Sequence, residues 1–188
     1  VQRPQDQVLD DTDKYGIEVG LLLAEASEGS VTLVSMGPSG SLQGIRQALA
    51  MGADKAVLVE DDGLRGSDTL TTARALAAAI SREGFDIVIA GTESTDGYSG
   101  VVPQQLAEIL GVPALTFARK VDVAGGRVTI ERQTGSGYDV VESALPVLVS
   151  VTAAGPEPRY PTFKGIMAAK QKTIDTLTCS DLGLAPDP

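Results

Sequence analysis

The sequence predicts an α/β fold: a doubly wound, mostly parallel sheet with late antiparallel hairpin strands and a C-terminal arm. Short apolar runs alternate with helical periodicities over the first part of the chain, and glycine-bounded β-runs follow. A proline-rich segment then precedes a basic stretch. Hydrophobic residues make up 43% of the 188 residues, which is enough for a buried core. We expect one α/β domain at residues 1–154 and an extended arm and tail at residues 155–188.

The first elements alternate between helix and strand. A helix is predicted from Asp13 through Leu22, and no strand precedes it, although a parallel sheet usually opens with one. We therefore expect that the chain was trimmed or that an ordered piece is missing. Val31–Val34 predicts a strand, a helix follows from Leu42 until Gly52, and Ala56–Val59 predicts the next strand.

The same alternation continues to residue 110. Ser67 or Asp68 is a candidate cap for a helix that ends at Gly84. The segment Asp86–Ala90 is an uninterrupted apolar strand, as expected where helices cover both faces of a parallel sheet. After a polar loop, Val101–Leu110 predicts a helix.

The pattern then changes to antiparallel strands. Ala118–Val123 and Arg127–Gln133 flank a glycine turn and predict a β-hairpin. Tyr138–Val151 is a long strand-like stretch broken by Pro146. We expect these late strands to form an appendage that joins or flanks the parallel sheet.

Three prolines stiffen the segment after Gly155, and the basic stretch Lys164–Lys172 follows. This composition is not typical of a core element, so we interpret it as an arm. The alternative is a C-terminal linker followed by a solvated helix. Cys179 falls in a polar tail beside no basic partner, and we expect it to have no chemical role.

Composition excludes several function classes. Lys and Arg total 15 against 25 Asp and Glu, so the basic footprint of a nucleic-acid binder is missing. The absence of histidine removes the commonest general base and metal ligand, and we expect neither catalytic residues nor a metal site. A single cysteine suits the reducing cytoplasm, and no apolar run is long enough for a membrane span.

The loop Gly91–Gly100 is the candidate ligand site. It follows the most apolar strand, and ligands in open α/β sheets bind at the carboxyl ends of strands. Its glycines and the following helix start favour a phosphate, while Asp96 or Ser99 could bond a ribose hydroxyl or cap that helix. The alternative is an ordinary capped loop. Neither a P-loop nor a GxGxxG fingerprint occurs. Asp61 and Asp62 are adjacent, so their side chains would diverge, and we expect a solvated loop there and not a pair of catalytic carboxylates.

Three segments together resemble the β subunit of electron-transfer flavoproteins. The first is Val34–Asp54, and the second is the Gly91–Gly100 loop. The third combines Leu145-Pro146 with the blocks Glu-Pro-Arg-Tyr-Pro at 157–161 and Ile-Met-Ala-Ala-Lys at 166–170. The likeness covers the chain from about Asp10 to Leu184.

The resemblance implies a structural AMP in this chain, within the domain at 1–154, and an FAD held mainly by an α subunit. Where some members carry an Arg-Glu pair that approaches the flavin, this chain has Arg132 and Gln133. By position, the residues implied for the AMP pocket are Asp10, Asp11, Thr12, Asp13, Met36, Gly91, Thr92, Glu93, Ser94, Thr95, Asp96, Gly97, Tyr98, Ser99, Gly100, Val101 and Val102.

The resemblance also implies a heterodimer whose arm docks a flavin-linked dehydrogenase such as an acyl-CoA dehydrogenase. The arm is similar to the family's recognition loop, and Phe163 stands where many members have a leucine. The residues implied for partner binding are Glu157, Arg159, Tyr160, Phe163, Ile166 and Met167.

The chain departs from the family pattern in its ligand loop. Gly100, Val101 and Val102 replace an Asn-Gln-Thr series found in some members, so phosphate binding would rely on backbone N–H groups. The loop typical of members with a second FAD is absent, which favours AMP. Two other interpretations remain: a stand-alone adenine-nucleotide-binding protein that resembles universal stress proteins, and a small NAD-linked enzyme.

Overall fold

A computed structural model describes residues 7–185, and the predicted outer limits at residues 1 and 188 lie outside that range. The mixed α/β class with a mostly parallel sheet and late antiparallel strands is confirmed. The helices and strands, in chain order, are α1 (Asp11–Ser27), β1 (Thr32–Met36), α2 (Leu42–Met51), β2 (Lys55–Val59), α3 (Thr69–Glu83), β3 (Ile87–Gly91), α4 (Val102–Leu110), β4 (Ala114–Ala124), β5 (Arg127–Gln133), β6 (Tyr138–Ala144), β7 (Val147–Val151), α5 (Phe163–Ala169) and β8 (Ile174–Leu177).

The strands form two hydrogen-bonded blocks. One block has the order β1-β2-β8 and is parallel throughout. The other has the order β3-β7-β4-β5-β6, in which only the β4–β5 and β5–β6 pairs are antiparallel. Helix α1 lies over both blocks, since a Cβ atom at Gly20 would be 3.6 Å from Ile89 of β3 and 3.8 Å from Val31 just before β1. Side-chain packing under the helices therefore joins the two blocks.

Strand β7 corrects the predicted appendage. It pairs in parallel with β3 on one side and with β4 on the other, and all five of its residues are buried. The run Val-Leu-Val-Ser-Val is typical of a strand covered on both faces. Its position after the hairpin in the sequence suggested an antiparallel partner, but strand neighbours are set by non-local packing. Only β5 and β6 extend the parallel sheet in the antiparallel sense.

Strand β4 lies between β7 and β5, and its pairing with both is irregular near Phe117. Ala114, Leu115 and Ala118 pair in parallel with β7, and from Ala118 onward the strand also pairs with β5 in the antiparallel sense. Phe117 lies at this irregularity with a φ of 59°, which is uncommon for a bulky residue. Its N–H donates to the hydroxyl of the buried Ser150 at 3.0 Å, and this bond holds the unusual backbone in place.

Beyond Gly155 the chain contains more regular structure than the sequence predicts. Residues 155–162 form no helix or strand, but α5 packs on α2 and the strand β8 pairs with β2. Strand β8 was not predicted because Ile-Asp-Thr-Leu carries polar residues, which an edge strand tolerates. Cys179 is buried, so its expected place in a polar tail is wrong.

Two predicted polar features have clear structural roles. Asp68 caps α3 by accepting a hydrogen bond from the Thr71 N–H at 2.7 Å, which confirms one of the two predicted caps. Asp61 accepts from the N–H groups of Gly63 at 2.8 Å and Cys179 at 3.0 Å. Asp61 therefore ties the end of β2 to the residues after β8, and the predicted solvated loop is wrong for this carboxylate.

Candidate functional site

The start of α1 meets the Gly91–Gly100 loop. Asp10 caps α1 by accepting from the Thr12 N–H at 2.7 Å and also from the Thr12 hydroxyl. The Thr95 side chain of the loop lies close enough to the same carboxylate to help lower its pKa. Partial burial alone would raise the pKa of Asp10, but these hydrogen bonds outweigh it and lower the pKa. The structure thus brings together two predicted segments that lie far apart in the sequence.

Asp13 makes a second contact between the same two segments. A Cβ atom at Gly91 would lie 3.0 Å from Asp13 Oδ1, so a larger residue at position 91 would require the Asp13 side chain to shift. Desolvation, followed by repulsion from Asp10, raises the pKa of Asp13 to about 6. The side chain still keeps substantial contact with water, so solvent screening reduces the energetic effect.

Replacing Asp13 by asparagine tests this environment. Because the folded-state pKa lies above the unfolded value of about 3.9, stability from this group is full below that value and is lost as the pH rises through about 6. The stability of Asp13→Asn relative to the native chain should increase between these pH values and level off at about 1 kcal/mol. Chemical denaturation across this pH range measures it. A flat difference across this pH range would contradict the shifted pKa.

The segment before α1 places Asp10 and Asp13 near the end of β1. The Leu9 N–H donates to Gln47 Oε1 at 2.9 Å, and the Ser41 hydroxyl donates to Gln7 Oε1 at 2.9 Å. Residues 7–9 therefore run along the start of α2, which follows directly after β1. Met36, the last residue of β1, is half-buried and packs on the core cluster that contains Val57. The structure gives Met36 a packing role at the same end of the block.

The ligand loop is ordered by its own hydrogen bonds. The Thr92 hydroxyl donates to the Val151 carbonyl at 3.0 Å, which fixes the loop to the end of β7. The Ser94 hydroxyl donates to Asp96 Oδ1 at 2.7 Å, and the Tyr98 N–H donates to the Ser94 carbonyl at 2.9 Å. From Glu93 to Ser99 the side chains are exposed. The loop therefore presents polar groups to solvent from a fixed base.

Helix α4 begins after this loop without a side-chain cap. Its N-cap residue is Val101, which cannot accept a hydrogen bond through its side chain. The prediction that Asp96 or Ser99 caps this helix is therefore wrong. The first turn of α4 can instead offer backbone N–H groups, with the positive end of the helix dipole, to an anion. Since Asp10, Asp13 and Glu93 are acidic, a phosphate would bind best on the α4 side of the loop.

An open cavity of about 680 Å³ lies beside the ends of β3, β5 and β7 and the irregular part of β4 at Phe117. Thr92, Phe117, Gln133 and Thr152 contribute to its lining. The two residues predicted to approach the flavin differ in their surroundings. Gln133 faces the cavity, whereas Arg132 Nε donates to the Thr116 carbonyl at 3.2 Å. Hydroxyl and amide groups around one aromatic ring suit a planar, polar-edged ligand. Sequence reasoning missed Phe117, because nothing in Leu-Thr-Phe-Ala signals its positive φ.

Most residues predicted to bind a partner are on the surface. Tyr160 is 88% exposed and Phe163 is 79% exposed, while Ile166 and Met167 on α5 are about half exposed. Glu157 is also exposed. Arg159 differs, because its guanidinium makes hydrogen bonds to Glu18 and Glu25 of α1. The exposed apolar side chains form one face, whereas Arg159 points into its own chain.

Two searches of residues 7–185 gave negative results. No helix in this range is long and apolar enough to cross a membrane. No group of three or more Asp, Glu, Cys or His side chains in the same range is placed to hold a metal ion.

Comparisons with known proteins agree on one family. The model of the electron transfer flavoprotein domain matches residues 1–182. The electron transfer flavoprotein subunit beta of Mycobacterium tuberculosis is 47% identical over 97% of this chain and 71% of its own length. The proteins of the same name from Megasphaera elsdenii and Clostridium acetobutylicum are 41% and 37% identical, over 88% and 93% of this chain and 64% and 68% of their own lengths. The chain therefore belongs to the electron transfer flavoprotein family, among homologues of its β subunit.

Proposed function

We propose that this chain binds AMP, pairs with an α subunit that holds most of the FAD, and docks a flavin-linked dehydrogenase such as an acyl-CoA dehydrogenase. Family membership establishes a role in electron transfer. The observation that carries the AMP proposal is the meeting of Asp10, Asp13 and the Gly91–Gly100 loop beside the uncapped start of α4. Carboxylates and hydroxyls suit the ribose, and the α4 N–H groups suit the phosphate.

The cavity beside Phe117 supports the flavin part of the proposal. The flavin supplies the chemistry that accepts and passes on electrons. Gln133, Thr92 and Thr152 offer hydrogen-bonding groups, and Phe117 offers an aromatic surface. These residues would orient the flavin edge and limit water access.

A cytoplasmic location is proposed because the one cysteine is a buried thiol, which suits a reducing compartment. The family match favours the electron-transfer interpretation over both alternatives, the stand-alone adenylate binder and the NAD-linked enzyme.

Acid extraction tests the AMP proposal directly. Purified protein should release about one AMP per chain, as expected for a single structural site. Asp96→Ala should lower the occupancy several-fold, because Asp96 and Ser94 hold the loop conformation that offers hydrogen bonds to the ligand. Asp139→Ala, which changes an exposed carboxylate on β6, is the matched control and should leave occupancy unchanged. Recovery of FAD from the isolated chain, or equal occupancy in both variants, would contradict the proposed site.

A further inference from the structure

The segment 155–172, here called the docking arm, is tied to α1 by a partly buried ionic cluster. Arg159 Nε and Nη2 donate to the two oxygens of Glu18 at 2.8 and 2.9 Å, and the Arg159 backbone N–H donates to Glu18 Oε2 at 3.0 Å. Arg159 also pairs with Glu25, which lies about two turns further along the same face of α1. Glu18 is only 5% exposed, so it depends on Arg159 for its partners.

The charges within this cluster are mutually stabilised. Burial alone would raise the pKa of Glu18, but the hydrogen bonds and charge of Arg159 outweigh it and lower that pKa. Bonds to Glu18 and Glu25 raise the pKa of Arg159 above its ordinary value. All three groups are therefore charged at neutral pH, and the bidentate geometry fixes the direction in which the arm leaves the domain.

Arg46 and Lys172 fix the other end of the docking arm near the C-terminal ends of α2 and α5. Arg46 of α2 donates to the carbonyls of Ala169 and Lys172, both at 2.6 Å. In return, Lys172 Nζ donates to the Ala53 carbonyl at 2.6 Å and the Leu49 carbonyl at 3.1 Å. Each cation thus binds carbonyl groups in or just after the last turn of a helix, where the helix dipole favours positive charge.

Between the Arg159 and Lys172 ends of the docking arm, Gly165 allows the backbone of α5 to contact the backbone of α2. A Cβ atom at Gly165 would lie 2.5 Å from the Ala50 carbonyl oxygen, a distance that real side chains do not reach. Thr162 caps α5 by accepting from the Gly165 N–H at 3.0 Å. With this side of α5 against α2, the exposed Phe163, Ile166 and Met167 face solvent.

We propose that Glu18, Arg159 and Gly165 are positioning residues that hold the docking arm rigid for partner binding. This inference rests on the proposed docking function. A helix as short as α5 is unstable alone, so external contacts must maintain it. Holding the apolar face in place before the encounter reduces the entropy lost on binding. Exposed Lys164 and Lys170 flank this face, so the fitting partner surface is an apolar pocket with an acidic rim.

The test uses the complete flavin-containing complex with its dehydrogenase as electron donor. Glu18→Gln and Gly165→Ala should each raise the KM for the dehydrogenase about tenfold while kcat changes less than about twofold. Gly137→Ala is the matched control, because a Cβ atom there meets no atom within 4 Å. Flavin content and melting temperature are measured for every variant. Gly165→Ala leaves the ionic cluster in place, so it tests positioning even if Glu18→Gln folds poorly.

A double-mutant cycle separates positioning from general stability. If Glu18 and Gly165 act by presenting Phe163, adding either change to Phe163→Ala should raise KM by less than about twofold more. Fully additive effects, or an unchanged KM in Gly165→Ala, would overturn the positioning role. If Phe163→Ala alone leaves KM unchanged, the docking function itself fails, and this inference fails with it.

Discussion

Phe163→Ala is expected to slow reduction of the complex by its cognate dehydrogenase about tenfold or more while the melting temperature stays nearly constant. Phe163 is 79% exposed, so its removal leaves no cavity in the chain's own core. Interface energy concentrates in a few such apolar side chains, commonly about 2 kcal/mol or more each. Stopped-flow reduction at increasing dehydrogenase concentration measures the loss.

Phe85→Ala provides the matched comparison for this experiment. Phe85 packs partly buried against the core cluster of α3, α4 and β3. The same chemical change there should lower the melting temperature through lost packing and leave docking intact in the molecules that remain folded. If Phe163→Ala instead behaves like Phe85→Ala, with a lower melting temperature and normal docking, the exposed face is not the partner surface.

Leu148→Ala is expected to cost about 2–5 kcal/mol of unfolding free energy. Leu148 is fully buried in β7, between β3 and β4, where it packs with Val88 and Leu106. Deleting its side chain leaves a cavity that the paired strands on both sides cannot collapse to fill. Urea denaturation at neutral pH measures the change in midpoint and in unfolding free energy.

Val140→Ala is the control for Leu148→Ala. Val140 is 68% exposed on β6, the outermost strand of the same block, so its truncation should change stability by no more than about 0.5 kcal/mol. Equal costs at the two positions would contradict the central place of β7 in the sheet.

Local sequence signals predicted the elements whose stability depends on local pattern. The apolar run at β3, the Asp68 cap of α3 and the glycine turn between β4 and β5 are each specified within a few residues. Strand pairing is different, because β7 and β8 obtain their partners from distant parts of the chain. The sequence predicted a strand-like stretch at Tyr138–Val151 broken by Pro146, but it could not show which strands flank its second part, β7. Strand β8 itself was not predicted, because its polar residues hide the apolar pattern of a strand.

The parts of the candidate site that depend on local sequence were predictable, whereas the contacts between distant segments were not. The loop Gly91–Gly100 follows from its position after an apolar strand, whereas its contact with Asp10 and Asp13 requires the fold. Glu18 was missed, although it left a signal: an acidic residue between the buried Ile17 and Val19, seven residues before Glu25. That spacing places both carboxylates on one face of α1. A charge at a core position of a helix therefore indicates a buried cationic partner.

The pairing of β8 with β2 has a consequence for synthesis of the chain. Ala56 and Val57 pair with Ile174 and Asp175, so β2 leaves the ribosome long before its second neighbour exists. Until then one edge of β2 exposes unpaired N–H and C=O groups on an apolar strand, which is a template for pairing with other chains. Closure of this block requires a loop that includes all five strands of the other block, β3 to β7, and such distant contacts slow folding. The nascent chain is thus most prone to aggregate in the interval before residues 174–177 arrive.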